Sequence, residues 1–160
     1  MKNTTLCYIE NNDSYLMMHR IKKDNDLNKD KWIGLGGKIE EFESPYECVI
    51  REVREESGLN LKKADLRGII TFVSDDFHEL MFLYTADSFE GDLIESNKCN
   101  EGVLCWVKKD KIEHLNLWEG DLIFLSLLEE RNKNDVFELK LVYRQEKLCE
   151  AVLDGVNLPC

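Results

Sequence analysis

Apolar residues recur with a two-residue period in most of this chain and with a helical period in two segments. Each stretch is bounded by glycine, proline, asparagine or aspartate. Thr4 to Glu10 and Ser14 to Arg20 are predicted strands flanking an Asn-Asn-Asp turn, a hairpin signal. Ile21 to Lys31 is polar and charged, hence a loop, and leads into Lys31-Trp32-Ile33-Gly34-Leu35-Gly36-Gly37-Lys38. The glycines there permit backbone approaches that side chains would block. Ser44 is placed to cap a helix, with Pro45 at its first position and Glu47 closing a capping box. That helix is predicted from about Pro45 to Ser57, with Gly58 as its stop and Tyr46, Val49, Ile50 and Val53 on its core face. Gly68 to Ser74, His78 to Ala86 and Val103 to Val107 are predicted strands, and Leu122 to Arg131 a second helix. Val136 to Arg144 and Leu148 to Leu153 form a C-terminal hairpin (136–153), either an addition to the domain or a homodimer contact, with no chemistry to assign.

Composition narrows the class. A chain of 160 residues with 43% hydrophobic and 33% charged positions, two prolines and nine glycines is expected to form one globular domain spanning 1–160. The first residues lack the apolar stretch of a secretion signal, and no run approaches the roughly 18 apolar residues of a membrane span. Cys7, Cys48, Cys99, Cys105, Cys149 and Cys160 contain no CxxC pair, so reduced thiols and a cytoplasmic location are expected. A net charge of −11 argues against a nucleic acid polymer as partner. A small anionic substrate remains compatible with that charge once divalent cations mask local carboxylates.

The chemically informative segment is Arg51-Glu52-Val53-Arg54-Glu55-Glu56-Ser57-Gly58-Leu59. Glu52, Glu55 and Glu56 stand at i, i+3 and i+4 and project from one side of the predicted helix. Like charges at this spacing destabilise a helix by roughly 0.2–0.5 kcal/mol per pair. Packing and solubility do not require them so close, whereas magnesium or manganese would want such hard oxygen ligands. A solvated acidic face is the bland alternative, but upstream spacing changes the balance. Gly37, five residues, Glu43, seven residues and the segment above together resemble the complete Nudix box, residues 37–59.

That resemblance implies a Nudix fold, an α/β (α+β) arrangement in which helices sandwich a mixed central sheet. It also implies a magnesium-dependent hydrolase, with manganese as a substitute, acting on a small-molecule nucleotide. Glu52, Glu55, Glu56 and the Gly37 carbonyl become the implied metal ligands, and Glu101 an outlying carboxylate approaching the same metals. One of Glu52, Glu55 and Glu56 would be the general base. Arg51, grouped with the catalytic set, and Glu43 would pair to hold loop against helix. Arg20 and Lys38 are candidate phosphate-binding residues, with Lys22 and Lys23 less well placed. Trp32 before Gly-Gly-Lys, and Trp118 with Asp121 in Leu117-Trp118-Glu119-Gly120-Asp121, resemble the MutT-like subgroup that sanitises oxidised purine nucleotides. There the matching tryptophan stacks on the base and the matching acid reads its edge. Phe72 and Met81 on neighbouring predicted strands are placed to line the same pocket. Ile33 departs from the pattern, standing where some relatives carry a polar side chain that contacts the base. The expected reaction is nucleoside triphosphate plus water giving monophosphate and pyrophosphate, with sanitation of 8-oxo-dGTP, and so DNA repair, as the role. The alternatives are a Nudix hydrolase of a dinucleoside polyphosphate, nucleotide sugar or ADP-ribose, or a nucleotide-sensing module without turnover.

Overall fold

The structure, a computed structural model, describes residues 1–95 and 99–160. Its elements in chain order are β1 (Lys2–Asn11), β2 (Ser14–His19), β3 (Trp32–Ile33), α1 (Pro45–Ser57), β4 (Asn60–Ser74), β5 (Phe77–Glu90), β6 (Val103–Lys108), a 3-10 helix (Lys109–His114), α2 (Asp121–Glu130), β7 (Phe137–Arg144), β8 (Lys147–Leu153) and β9 (Val156–Leu158). The strands join in the order β3-β2-β1-β5-β4-β7-β8-β9, with β6 on the other side of β2. The pairs β1–β5 and β4–β7 are parallel and the others antiparallel, so the sheet is mixed.

β1 runs through the middle and is buried on both faces, which is why Thr4 to Ile9 reads as a nearly unbroken apolar run. Leu6 and Tyr8 join the core under α2, together with Phe72, Leu83, Phe124, Leu139, Leu141 and Tyr143. Cys7 and Ile9 point the other way, into the core under α1 with Leu16, Leu35, Val49, Val53 and Leu59. The expected α1 start is present: Ser44 Oγ accepts the Glu47 N–H, Glu47 returns a bond to the Ser44 N–H, and Gly58 closes the helix at φ 81°.

Four expectations need correction. Tyr46 does not reach the core; it lies in the first turn of α1, 44% exposed, with its ring edge toward Tyr84, and Cys48 fills the buried face instead. β4 begins at Asn60, eight residues before its predicted start, because irregular register between Leu61 and Gly68 breaks the alternation a sequence reading depends on. β9 was not expected, although Asp154-Gly155, with φ of 48° and 82°, is the dipeptide of a tight hairpin turn. The C-terminal hairpin is an integral part of the sheet: β7 pairs with β4 from Gly68↔Phe137 to Ser74↔Tyr143.

Candidate active site

The segment from Gly34 to Ile39 runs along β1 and is tied to it by backbone bonds. The Leu35 N–H donates to the Cys7 carbonyl (2.9 Å), and the Thr5 N–H to the Gly37 carbonyl (2.9 Å). A Cβ on Gly36 would stand 2.0 Å from the Thr5 carbonyl oxygen, so no side chain fits. At Gly37 a Cβ would lie 2.5 Å from the Glu52 carboxyl carbon. The loop thus packs against a carboxylate of α1, and glycine at 37 keeps that space open.

Around this contact the acidic residues are arranged by one guanidinium. Arg51 grips Glu43 with two bonds (Nε to Oε1 2.6 Å, Nη2 to Oε2 2.9 Å) and also donates to Glu52 (2.8 Å) and Glu55 (3.2 Å). Its bonds hold the Glu43 carboxyl at about 2. Glu56 is buried and accepts the Gly36 N–H at 2.8 Å. Burial, then the neighbouring Glu101 carboxyl, push Glu56 well above the usual carboxylate range; burial also raises Glu52, against the pull of Arg51. Glu55 is 56% exposed along its side chain. Among the described residues no three ligating side chains are gathered into a ready-made cage. The donor set still fits a hard cation. Glu52, Glu56 and Glu101 crowd carboxyls whose repulsion a divalent ion would relieve, and the Gly37 carbonyl already accepts the Thr5 N–H and, at 3.6 Å, the Cys48 thiol.

A cavity of about 350 Å³ opens beside this acidic edge, the size of a small-ligand pocket. Its lining brings together two groups: Gly37 against Glu52 and Arg20 bound to Glu101, with Lys38, and Trp118 edge-on to Phe72, with Leu6, Ile33, Met81 and Asp121. Arg20 is not a free cation there. It donates to Asp26 (2.7 Å) and Glu101 (2.8 Å), and so anchors the 21–31 loop instead of waiting for a phosphate. Lys23 also approaches Glu101, at 3.6 Å. Trp32 lies outside the cavity lining, stacked on His19 with centroids 4.6 Å apart. Arg51, Glu43, Glu55 and Glu56 likewise do not line the cavity.

Trp118 is nearly enclosed, edge-on to Phe72 (5.3 Å) and Tyr143 (5.0 Å), with the Lys31 ammonium 4.9 Å from its ring centre. Asp121 opens α2, where the helix dipole favours a carboxylate by only ~0.3–1 kcal/mol, less than one pKa unit. Burial outweighs both the dipole and the Lys31 charge and pushes Asp121 up to about 8. Its carboxyl is therefore mostly protonated at pH 7 and can donate as well as accept.

Several residues of this site escaped the sequence reading. Tyr143, from the hairpin without assigned chemistry, packs on Trp118 and accepts the Gly120 N–H at 2.7 Å, pinning the start of α2. Its place in the apolar alternation Phe137, Leu139, Leu141, Tyr143 marked it as core, not as a support of the pocket. Asn28 and Leu27 enter the cavity from the 21–31 loop, and Thr4 donates to Glu79 at 2.6 Å along its floor. No sequence pattern singles these out, because each meets the cavity only through tertiary contact.

The fold and acidic edge define the class, and comparison agrees: the model of the NUDIX domain matches residues 2–128, and the chain belongs to the Nudix family. Members are hydrolases of pyrophosphate bonds in small nucleotide substrates and generally use divalent metals. The chain is 30% identical over 126 residues to an uncharacterized Nudix hydrolase, YvcI, of Bacillus subtilis, covering 76% of this chain and 75% of that one. It is 30% identical over 113 residues to the oxidized purine nucleoside triphosphate hydrolase of Danio rerio, covering 69% and 70%. The crystal structure of a mutator MutT protein from Bacillus halodurans superposes with a TM-score of 0.83 at 26% identity, covering 96% of this chain and 98% of the other. At 96% of this chain, that likeness extends past residue 128, where the family match ends.

Proposed function

We propose that this chain is a magnesium-dependent nucleoside triphosphate pyrophosphohydrolase that sanitises 8-oxo-dGTP or related oxidised purine nucleotides. The observation that carries this reading is the juxtaposition within one cavity of an acidic edge and a group of aromatic and apolar side chains beside a buried acid. The first comprises Glu52, Gly37 and Glu101; the second, Trp118, Phe72, Met81 and the buried Asp121. The likeness to the Danio rerio enzyme supports the same substrate class.

Glu52, Glu55, Glu56, Glu101 and the Gly37 carbonyl would hold magnesium, or manganese in its place. Bound there, the metal supplies charge neutralisation on the phosphates and a more acidic water. The protein's part is positional. Arg51 fixes Glu52 and Glu55 against the 37–43 loop, and a carboxylate of the Glu52, Glu55 and Glu56 set takes the proton from the attacking water. Lys38, lining the cavity next to Gly37, contributes positive charge for the phosphates. The apolar floor and the enclosed Trp118 hold the base, and the Asp121 carboxyl hydrogen-bonds to its edge. The acid-free alternative at 33, Ile33, adds packing and no polar contact.

The test is a measurement of kcat/KM with magnesium for 8-oxo-dGTP, dGTP, the other deoxynucleoside triphosphates, ADP-ribose and a diadenosine polyphosphate. A preference for 8-oxo-dGTP with pyrophosphate as co-product supports the reading. A preference for ADP-ribose or a dinucleotide keeps the hydrolase and discards the substrate, and tight nucleotide binding without turnover identifies a sensing module.

A further inference from the structure

The 21–31 loop, which carries no motif, delivers one polar side chain to the base end of the cavity. Asn28 lines the cavity beside Ile33, Trp118 and Asp121. Its backbone is fixed on both sides: the N–H donates to Asp26 Oδ1 (3.0 Å), and the carbonyl accepts the Lys31 N–H (2.8 Å). Asp26 is in turn held by Arg20. The side chain is fixed as well, for Trp118 Nε1 stands 2.8 Å from its amide oxygen.

That bond decides the amide's orientation without ambiguity. An indole nitrogen can only donate, so the Asn28 atom facing it must be the oxygen. The NH₂ group then faces away from Trp118, and among the described residues no protein acceptor takes either of its protons. A polar group at position 33 is missing in this chain, and Asn28 is the polar amide closest in role that the cavity lining offers.

We infer that Asn28 is a specificity-determining residue, whose amide NH₂ donates to an acceptor on the purine edge and selects 6-oxo over 6-amino purine nucleotides. The inference rests on the nucleotide reading above and deepens it. Guanine presents O6 as an acceptor, and 8-oxoguanine keeps that acceptor although its N7 carries a proton, whereas adenine presents a donor at N6. A fixed N–H donor therefore meets an acceptor on the first pair of bases and a competing donor on adenine. A mismatch of that kind leaves buried polar groups unpaired, which is the strong form of substrate discrimination.

The experiment is kcat/KM for dGTP and dATP with wild-type protein and with Asn28→Asp. Aspartate has the same shape, still accepts from Trp118 Nε1, and replaces the amide donor with an acceptor. We expect the dGTP/dATP ratio to fall at least tenfold through KM, with kcat for dGTP kept within about threefold. A ratio unchanged in Asn28→Asp overturns the inference and leaves Asn28 a support for Trp118 alone. Wild-type protein gives an independent arm: the 2-aminopurine deoxynucleoside triphosphate, which lacks O6, should be at least tenfold poorer than dGTP, and equal use of the two would overturn the inference even if the variant does not fold. Turnover of no nucleoside triphosphate by the wild type overturns the nucleotide reading itself and this inference with it, an outcome distinct from an unchanged ratio.

Discussion

The two ends of the cavity are built in opposite ways. The acidic end comes mostly from one continuous stretch, Gly37 to Leu59, whose loop and helix are locked by a capping box and by Arg51, with Glu101 and Arg20 joining it from elsewhere. The base end is assembled from six separated places: β1, the 21–31 loop, Ile33 of β3, the β4–β5 pair, the start of α2, and Tyr143 of β7. Its one buried acid is neutralised by its surroundings, while the acidic end gathers carboxylates held by Arg51 and Arg20 around the buried Glu56. Chemistry is thus placed on a rigid local unit and selection on a tertiary one. The two should respond separately to mutation.

The largest separation is expected from Glu56→Gln and Glu55→Gln. Each should lower kcat by about 10³-fold, the order seen when one preorganised charge is removed, with circular dichroism unchanged. Comparable activity in both variants would break the assignment of catalysis to this end. At the other end, Trp118→Ala removes a ring enclosed by Phe72 and Tyr143 and should cost about 3–5 kcal/mol of stability, read by urea denaturation. Trp118→Phe should keep the fold and raise KM several-fold while leaving kcat almost unchanged.

Asp121→Asn sharpens the comparison through pH. The Asp121 carboxyl titrates near 8 when folded and in the ordinary carboxylate range when unfolded, so the folded state binds the extra proton between those values. Its stabilising effect is complete below about pH 4 and is lost as pH rises to 8. Wild type should therefore lose on the order of a few kcal/mol relative to Asp121→Asn across that window, as measured by thermal unfolding at several pH values. Parallel curves would show that Asp121 is ionised in the folded protein. The smallest effect is expected at Arg51→Lys, which keeps the charge and loses the two-pronged grip on Glu43. About 1 kcal/mol, or a melting temperature lower by about 2–4 °C, is expected for this partly exposed cluster.

This contrast also explains what the sequence could reveal. Ser44, Pro45, Glu47 and Gly58 act within a few residues of each other, so both ends of α1 were legible to the residue, and so was the Glu43–Arg51 pair. Trp118, Asp121, Phe72 and Met81 all line one cavity; the sequence put Phe72 and Met81 on neighbouring strands, and the β4–β5 register sets them on one face. Trp32 and Arg20 were less transparent. Whether a tryptophan turns to His19 or to the cavity, and whether an arginine is consumed by Asp26 and Glu101, depends on a loop whose path is set by long-range bonds. Asn28, Glu79 and Tyr143 were invisible for the same reason, and irregular register hid the first half of β4.

The most direct test of the separation is calorimetric titration of 8-oxo-dGMP into wild-type protein and Glu56→Gln without metal, alongside turnover of 8-oxo-dGTP with magnesium. The account predicts that Glu56→Gln binds the monophosphate with a Kd within about threefold of wild type while its turnover is lost. Loss of binding together with turnover would contradict it, because base selection and catalysis would then share the acidic end.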